Sequence, residues 1–538
     1  MYDPTKHVNA RSTPQTERTV GRADEVKNSA GGFVFKVDLW TRLRRFLILG
    51  SEGGTYYVGE RELTQDNAQA VVACIKADGP RVVREIMAVS GRGLAPKNDP
   101  ALFALAMAAS QRMADNATVK AAFAALPAVA RIGTHLFHFV HYMQAFRGWG
   151  RAAREAVAAW YNAMPAEKLA LQAVKYQQRD GWSHRDLLRL SHPNPPDPEH
   201  DALYQWIVNG SFEKCVSLPS EAGLRILEGF SKACVSTSPD EIASLVREYR
   251  LPRECVPTQM LGEARVWDAL LERMPIEAMV RNLGNMSKVG LLVPMSNAER
   301  TVIERLSDPD VVAKARLHPI KLLIALKTYA SGHGVRGKGE WTVCPRIVDA
   351  LDDAFYGAFI NVEPTGKRWM LGVDVSASMS WPENILSNCG GLSSAEAAAA
   401  MCMVTLKTEQ SSYAMGFSGD IVDLGLSPRM RLDEVMRRTR ENNAGRTDCA
   451  LPMMWALQKG VKVDVFVVYT DNETWCGAVK PYQALQHYRE KTGIPAKLVV
   501  AAFTATDFSI ADPTDAGMLD VIGFDGSVPE VMRQFVIG

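Results

Sequence analysis

Apolar residues follow two different patterns along this chain. In the last third they form short continuous runs, and two of these, Trp369–Val373 and Val463–Tyr469, have the length of strands buried on both faces. The first run is followed by a capping box, Ser393-Ser-Ala-Glu396, that opens an alanine-rich helix. Strands and helices in this order predict an open α/β sheet of parallel strands.

Upstream, the pattern is helical. From Leu63 to about Tyr356 the chain reads as a succession of helices of roughly 10–20 residues with short breaks. Asp99-Pro100 begins one helix and His318-Pro319 another, since proline is favoured in the first turn. No strand-like alternation interrupts the series. Paired helices over so long a stretch favour an α-solenoid over a compact bundle, although no repeat of fixed period is evident.

Three regions follow from these patterns. Residues 1–30 are polar and lack periodicity, which predicts a disordered tail. The helical pattern stops near residues 361–366, so a helical domain is expected at 31–362 and an α/β domain at 363–538. With 538 residues, 47% apolar and 22% charged, the chain has the size and composition of a soluble multidomain protein.

The cysteines and the lengths of the apolar runs indicate the cellular compartment in which the protein is expected. The nine cysteines are scattered and contain no Cys-x-x-Cys. This argues for reduced thiols in the cytoplasm, and against a disulfide framework or a zinc site. No run of eighteen apolar residues occurs and the N-terminus lacks the apolar core of a signal peptide, so no membrane span is predicted.

Oxygen-bearing side chains follow the predicted strands. Asp374, Ser376 and Ser378 occupy alternate positions after the first strand, and Asp471 follows the second. The carboxyl ends of parallel strands are where open α/β sheets bind ligands. Carboxylates and hydroxyls suit a hard cation such as Mg²⁺. Thr447, at the start of a further predicted helix, offers another hydroxyl at a loop tip.

These three loops resemble the metal-ion-dependent adhesion site of von Willebrand factor A domains, which have a Rossmann-like fold. The resemblance assigns Mg²⁺, or another divalent cation, to five residues: Asp374, Ser376, Ser378, Thr447 and Asp471. Arg446 replaces one of two glycines that often precede the threonine. Two alternatives remain: polar residues that only turn the chain and cap a helix, or a haloacid-dehalogenase nucleophile. The latter wants a second carboxylate where Ser376 stands.

A second candidate site is a basic stretch in the helical region. Residues 147–192 hold eight Lys or Arg against four Asp or Glu. Lys175 and Arg179 are four apart and are expected to share one helix face, and Arg185 and Arg189 are expected on a second helix after a break at Asp180-Gly181. Such cations can bind a phosphate backbone, and a merely solvated face is the alternative.

Two further features complete the search for sites. The loop at residues 331–339 is basic and glycine-rich, and its Arg336 and Lys338 are candidates for contact with nucleic acid. His135, His138 and His141 are not expected to form a metal site, because His141 lies about 120° around the helix from His135.

Taken together, these features resemble the Ro 60 kDa autoantigen family, the RNA-binding proteins with a TROVE domain, and its bacterial members in particular. The resemblance extends from about Gly31 to the C-terminus. It rests on strings that begin at Arg44 (RRFLILGSEGGTYY), Gly181 (GWSHRDLLRLSH), Glu363 (EPTGKR), Asp374 (DVSASM), Thr447 (TDCALPM) and Gly493 (GIPAKL).

The resemblance implies a ring of HEAT-like helical repeats closed by a von Willebrand factor A domain. Small Y RNAs would bind the basic outer surface, and single-stranded 3′ ends of misfolded noncoding RNAs would enter a central hole. Matching family positions assign RNA contacts to Lys175, Arg179 and His192. The resemblance also implies a monomer and, from bacterial relatives, polynucleotide phosphorylase as a partner.

The sequence therefore favours a non-catalytic RNA-binding scaffold that acts in RNA quality control. The alternative is a Mg²⁺-dependent protein-adhesion or chelatase-like subunit, in which the helices only hold the A domain. The basic segment separates the two, because an adhesion scaffold has no use for it. A nuclease would need a carboxylate or histidine cluster beyond the one metal site, and none is evident.

Overall fold

The computed structural model describes residues 12–49, 68–92, 95, 97–210, 224–334, 339–380, 386, 391–441, 445–503, 508–522, 524 and 528–537. They form two compact units. One unit contains the described residues 46–49 and 68–303, and the other contains 12–45 and 304–537. The domain boundaries at 31 and 363 stay predictions.

Residues 12–30 have defined contacts at Gln15, Glu25 and Asn28, which are buried although more than half of the segment is exposed, and this corrects the prediction of a disordered tail through residue 30. Strand β1 (Glu25–Lys27) pairs antiparallel with β2 (Phe33–Lys36). Gln15 is fully buried and donates its amide N–H to Oδ1 of Asp448, 433 residues away, at 2.7 Å. Because polar side chains hold this segment through hydrogen bonds to distant residues, its sequence shows no apolar periodicity and resembles that of a disordered tail. Residues 1–11 lie outside the described residues.

Helices make up most of the described chain from residue 39 to residue 357. They are α1 (Leu39–Leu49), α2 (Gln69–Gly91), α3 (Asp99–Ala108), α4 (Asn116–Val129), α5 (Gly133–Phe146), α6 (Arg151–Asn162), α7 (Ala166–Lys175), α8 (His184–Ser191), α9 (Pro198–Asn209), α10 (Arg225–Val235), α11 (Pro239–Tyr249), α12 (Ala264–Leu271), α13 (Ile276–Lys288), α14 (Asn297–Ser307), α15 (Pro309–Lys314), α16 (Pro319–Ala330) and α17 (Pro345–Gly357).

Both helix starts predicted at prolines are confirmed. Helix α3 begins at Asp99 with proline in its first turn. Helix α16 begins after His318, whose Nδ1 accepts the backbone N–H of Ile320 at 3.2 Å. Neighbouring helices pack in pairs, such as α3 on α5, α11 on α12, and α16 on α17. This is the arrangement of a helical repeat protein.

A short hairpin interrupts the helices, contrary to the prediction of an unbroken helical series. Strand β3 (Gln178–Arg179) pairs antiparallel with β4 (Trp182–Ser183). The two residues between them, Asp180 and Gly181, both have positive φ, of 52° and 80°. Two consecutive left-handed residues form the turn that matches the twist of a hairpin. The sequence Asp-Gly was therefore a hairpin signal and not simply a helix break.

The α/β part is a sheet of six strands in the order β11-β9-β8-β5-β6-β7, in which all neighbours are parallel except that β7 pairs antiparallel with β6. The strands are β5 (Arg368–Asp374), β6 (Ser411–Phe417), β7 (Ile421–Val422), β8 (Val465–Thr470), β9 (Lys497–Ala502) and β11 (Met518–Ile522). Strand β10 (Phe508–Ser509) pairs with β2 instead. The helices are α18 (Ser394–Thr408), α19 (Leu432–Glu441), α20 (Leu451–Lys459), α21 (Pro481–Thr492) and α22 (Val528–Ile537).

The centre of this sheet is buried, as the apolar runs predict. Every residue of β8 is buried, and β5 is buried from Trp369 to Asp374. The capping box predicted at Ser393 is present, with Glu396 as its partner, and it opens α18. Gly372 lies beneath α20, where an added Cβ would come within 2.6 Å of Pro452. This glycine therefore lets α20, and the loop before it, approach the central strand.

No helix among the described residues is both long and apolar enough to cross a bilayer.

Candidate metal centre and nucleic-acid interface

Two acidic side chains meet at the carboxyl edge of the sheet. Asp374 ends β5 and Asp471 directly follows β8. The two strands are parallel neighbours whose register pairs Val373 with Tyr469. This register brings the two carboxylates side by side, as the strand-end argument predicts.

Both oxygens of Asp374 are held by hydrogen bonds. Oδ1 accepts the backbone N–H of Ser376 at 2.8 Å, and Oδ2 accepts the hydroxyl of Thr470 at 2.8 Å. The Ser376 and Ser378 hydroxyls lie 3.2 Å apart, and Ser378 hydrogen-bonds to Asp471. Two carboxylates and three hydroxyls thus form one connected cluster. Thr470 belongs to it although the sequence did not single it out.

The electrostatics of this cluster fit a cation. Burial, and then the neighbouring Asp471 carboxylate, raises the pKa of Asp374 to about 7. Burial likewise raises the pKa of Asp471, and its Oδ1 is buried without a hydrogen-bond partner. Adjacent buried carboxylates with an unsatisfied oxygen favour a bound positive charge. Among the described residues no three His, Cys, Asp or Glu side chains converge, so hydroxyls would have to complete the set.

Thr447 lies in the loop before α20. Its backbone carbonyl accepts the N–H of Trp475 at 3.0 Å, which ties this loop to the one that follows β8. The Thr447 side chain is buried, but within the described chain no hydrogen bond links its hydroxyl to Asp374 or Asp471. The third loop is therefore adjacent to the cluster, and direct ligation by Thr447 stays a prediction.

The basic segment has a different shape from the predicted one. Helix α7 ends at Lys175, and Arg179 lies on strand β3 of the hairpin. Lys175 and Arg179 therefore do not share a helix face, which corrects that prediction. The helix ends early because Asp180 and Gly181 take the turn conformation of a hairpin.

The second predicted helix is present as α8. Ser183 caps it through a capping box with Asp186, and His192 ends it in the left-handed conformation, with φ of 46°. Arg185 and Arg189 are exposed and four residues apart, so they share one face of α8. Neither has an acidic partner within the described part of the chain.

The other two cations of this segment lie near carboxylates. Lys175 Nζ is 4.0 Å from Oε2 of Glu254, and Arg179 Nε is 3.7 Å from Oδ1 of Asp180. Both side chains remain partly exposed, at 30% and 48%. At 4.0 Å the Glu254 carboxylate competes only weakly for Lys175, and a phosphate can displace it. Arg336 and Lys338, of the predicted glycine-rich loop, lie outside the described residues.

The three histidines of α5 have separate surroundings. His138 is buried between Asp180 and Asp99, with nitrogen to oxygen distances of 2.5 and 3.3 Å. His141 is exposed, and burial lowers the pKa of His135 to about 4. The link from His138 to the hairpin was not foreseen. The one related signal in the sequence was the Asp-Gly pair, which predicts a turn at Asp180 but does not identify His138 as its partner.

Comparison with known proteins relates the whole chain to one family. The profile of the TROVE domain matches residues 26–216 and 250–331, and that of the Ro60 vWA domain matches residues 368–536. A protein named RNA-binding protein RO60 from Deinococcus radiodurans is 44% identical over 540 residues, which cover all of both chains.

The chain belongs to the Ro60 family. A second relative, RNA-binding protein RO60 from Caenorhabditis elegans, is 36% identical across 96% of this chain and 90% of its own. The crystal structure of the Deinococcus radiodurans Ro (RSR) protein superimposes with a TM-score of 0.78 at 43% identity, over 93% of this chain and all of that one. The predicted combination of helical repeats with a von Willebrand factor A domain is confirmed.

Proposed function

We propose that this protein is a non-catalytic RNA-binding scaffold that contacts RNA phosphates through the surface formed by α7, the β3–β4 hairpin and α8. The observation that carries the proposal is the exposed pair Arg185 and Arg189, which have no acidic partner among the described residues. Cations left free on one helix face are suited to the regularly spaced phosphates of a nucleic acid. Two full-length relatives that carry the name RNA-binding protein support it.

The nature of the RNA is a further part of the proposal. We propose that small noncoding RNAs of the Y type bind this surface, and that single-stranded 3′ ends of misfolded RNAs bind elsewhere, with Arg336 and Lys338 as candidate contacts. The protein would act in RNA quality control in the cytoplasm, as a monomer and with polynucleotide phosphorylase as a partner. The described cysteines form no disulfide, which is consistent with a reducing compartment.

The same proposal includes a divalent cation, Mg²⁺, at the A domain. Asp374 and Asp471 would supply the negative charge, and Ser376, Ser378 and Thr447 would supply hydroxyl oxygens. A bound cation would balance the two carboxylates and offer a coordination position to an oxygen of a partner protein. The orphaned Oδ1 of Asp471 supports this assignment.

A gel-shift titration with a structured small RNA at increasing salt tests the RNA proposal. The logarithm of the association constant should fall linearly with the logarithm of the salt concentration, with a slope of about −0.9 for each phosphate contacted in a duplex. Alanine at both Arg185 and Arg189 should reduce the slope and the affinity. RNA binding that is absent at low salt would instead favour the adhesion or chelatase-like scaffold, in which only the A domain has a ligand.

A further inference from the structure

A buried histidine connects the proposed RNA surface to the helices behind it. His138 lies on α5 and is 2% exposed. Its Nδ1 is 2.5 Å from Oδ2 of Asp180, the first turn residue of the β3–β4 hairpin. Its Nε2 is 3.3 Å from Oδ1 of Asp99, the first residue of α3. One imidazole therefore joins α3, α5 and the hairpin.

The hairpin depends on such a contact for its orientation. Each strand has only two residues, paired as Gln178 with Ser183 and Arg179 with Trp182. A two-stranded hairpin of this length is not stable alone in water, so contacts of its tip and faces must hold it. Trp182 supplies one such contact by packing on Trp149, with ring centroids 5.9 Å apart. The bond from His138 to Asp180 supplies the one at the tip.

The Asp180 carboxylate divides its oxygens between the interior and the surface. Oδ2 faces His138, while Oδ1 lies 3.7 Å from Nε of the preceding Arg179. The direction of the carboxylate therefore influences the direction of the Arg179 guanidinium. The contact with His138 also turns the Asp180 carboxylate inward. A carboxylate that pointed outward at this place would repel an RNA phosphate.

We propose that His138 is a positioning residue for RNA binding, which acts through Asp180 to set the Arg179 guanidinium toward an RNA phosphate. The inference rests on the proposed function, because it needs Arg179 to contact RNA. His138 itself touches no RNA, since it is buried.

A double-mutant cycle in the full chain tests this role, with a blunt-ended stem-loop RNA as the probe. His138→Phe fills the space of the ring but removes its hydrogen bonds. It should weaken binding as much as Arg179→Ala does, and lower the salt slope by about 0.9, the value of one lost phosphate contact. The double variant should bind no more weakly than Arg179→Ala alone, because both changes remove the same contact.

A conservative variant separates positioning from packing. His138→Asn keeps an N–H donor near the place of Nδ1, so it should retain most of the RNA affinity even though it leaves a cavity and lowers the thermal midpoint. Asparagine tolerates the left-handed conformation of the turn. Asp180→Asn should therefore weaken RNA binding as much as His138→Phe does, without the replacement of a buried side chain. His141→Phe, on the exposed side of the same helix, is the control and should bind as the parent does.

Additive losses in the cycle, or parental binding by His138→Phe, would overturn the inference. So would parental binding by Arg179→Ala. In that case Arg185→Ala/Arg189→Ala decides the proposed function: weaker binding by that variant leaves the RNA surface in place without His138, and unchanged binding rejects both.

Discussion

The Thr470 hydroxyl donates a 2.8 Å hydrogen bond to Oδ2 of Asp374, from the end of β8 to the end of β5. The other oxygen of Asp374 accepts the N–H of Ser376, also at 2.8 Å. The carboxylate is therefore fixed in direction by the fold itself. Residues that orient a ligating carboxylate generally contribute to metal affinity.

Replacement of Thr470 by valine tests this relationship. The change keeps the shape of the side chain and removes the hydrogen bond to Asp374. We expect Mg²⁺ affinity, measured by calorimetric titration, to fall by about 10- to 100-fold. Thr492→Val, which removes a hydroxyl bonded to the carbonyl of Tyr488 within α21, is the matched control and should leave Mg²⁺ affinity unchanged. Equal affinities for the Thr470→Val variant and the parent would contradict the role given to Thr470.

Removal of the central carboxylate tests whether the two candidate sites are independent. Asp374→Ala, or the milder Asp374→Asn, should abolish cation binding, because half of the acidic charge of the cluster is lost. RNA affinity should stay nearly unchanged, since Asp374 and the basic surface lie in different compact units. Asp420→Ala, at an exposed turn, is the control. A folded Asp374→Ala protein that no longer binds RNA would defeat the assignment.

The two pairs of cations should differ in their contribution to RNA binding. Arg185→Ala/Arg189→Ala removes cations without described acidic partners, whereas Lys175→Ala/Arg179→Ala removes cations close to Glu254 and Asp180. Both pairs should reduce the salt slope by up to about 1.8, and the first should cost more affinity because Lys175 of the second pair must leave Glu254 to bind a phosphate. Arg265→Ala, paired with Asp240 on the same unit, is the control. Identical binding curves for all variants would exclude this surface.

Buried histidines should make the protein acid-labile. Burial lowers the pKa of His184 to about 4, and the ring packs on Phe137 at 4.7 Å. Between pH 6.5 and about 4 the unfolded chain binds a proton there that the folded chain does not, so stability is lost as the pH falls through that range. His184→Gln should flatten the dependence of the urea midpoint on pH. A urea midpoint that rises as the pH falls would contradict the predicted loss of stability in acid.

A buried ion pair should anchor the N-terminal segment. Lys480, the residue before α21, pairs with Glu25 of β1, and both side chains are at most 2% exposed. Glu25→Gln would leave the Lys480 ammonium buried without its carboxylate, which should lower the free energy of unfolding by about 3–5 kcal/mol. The double change Glu25→Gln/Lys480→Met should recover much of that loss. Urea denaturation measures both, and a single variant as stable as the parent would show that the segment is held by other contacts.

The sequence by itself determined the two strand runs, the helix starts at Asp99 and after His318, and the capping box at Ser393. These features depend on neighbours within a few residues, so local pattern carries them. It also predicted that Asp374 and Asp471 lie at the carboxyl ends of neighbouring strands, because parallel strands that share a sheet present these ends at one edge.

Only the tertiary structure decided the rest. The Asp-Gly pair signals a turn locally, but the bond from Asp180 at the hairpin tip to His138 joins residues 42 positions apart, which no local signal records. Gln15 looked like part of a polar tail because its partner, Asp448, is 433 residues distant. Thr470 joined the cluster of carboxylates and hydroxyls through a hydroxyl that donates to Asp374 on the neighbouring strand. In each case a polar side chain is satisfied by a residue remote in sequence, and no local periodicity records such a contact.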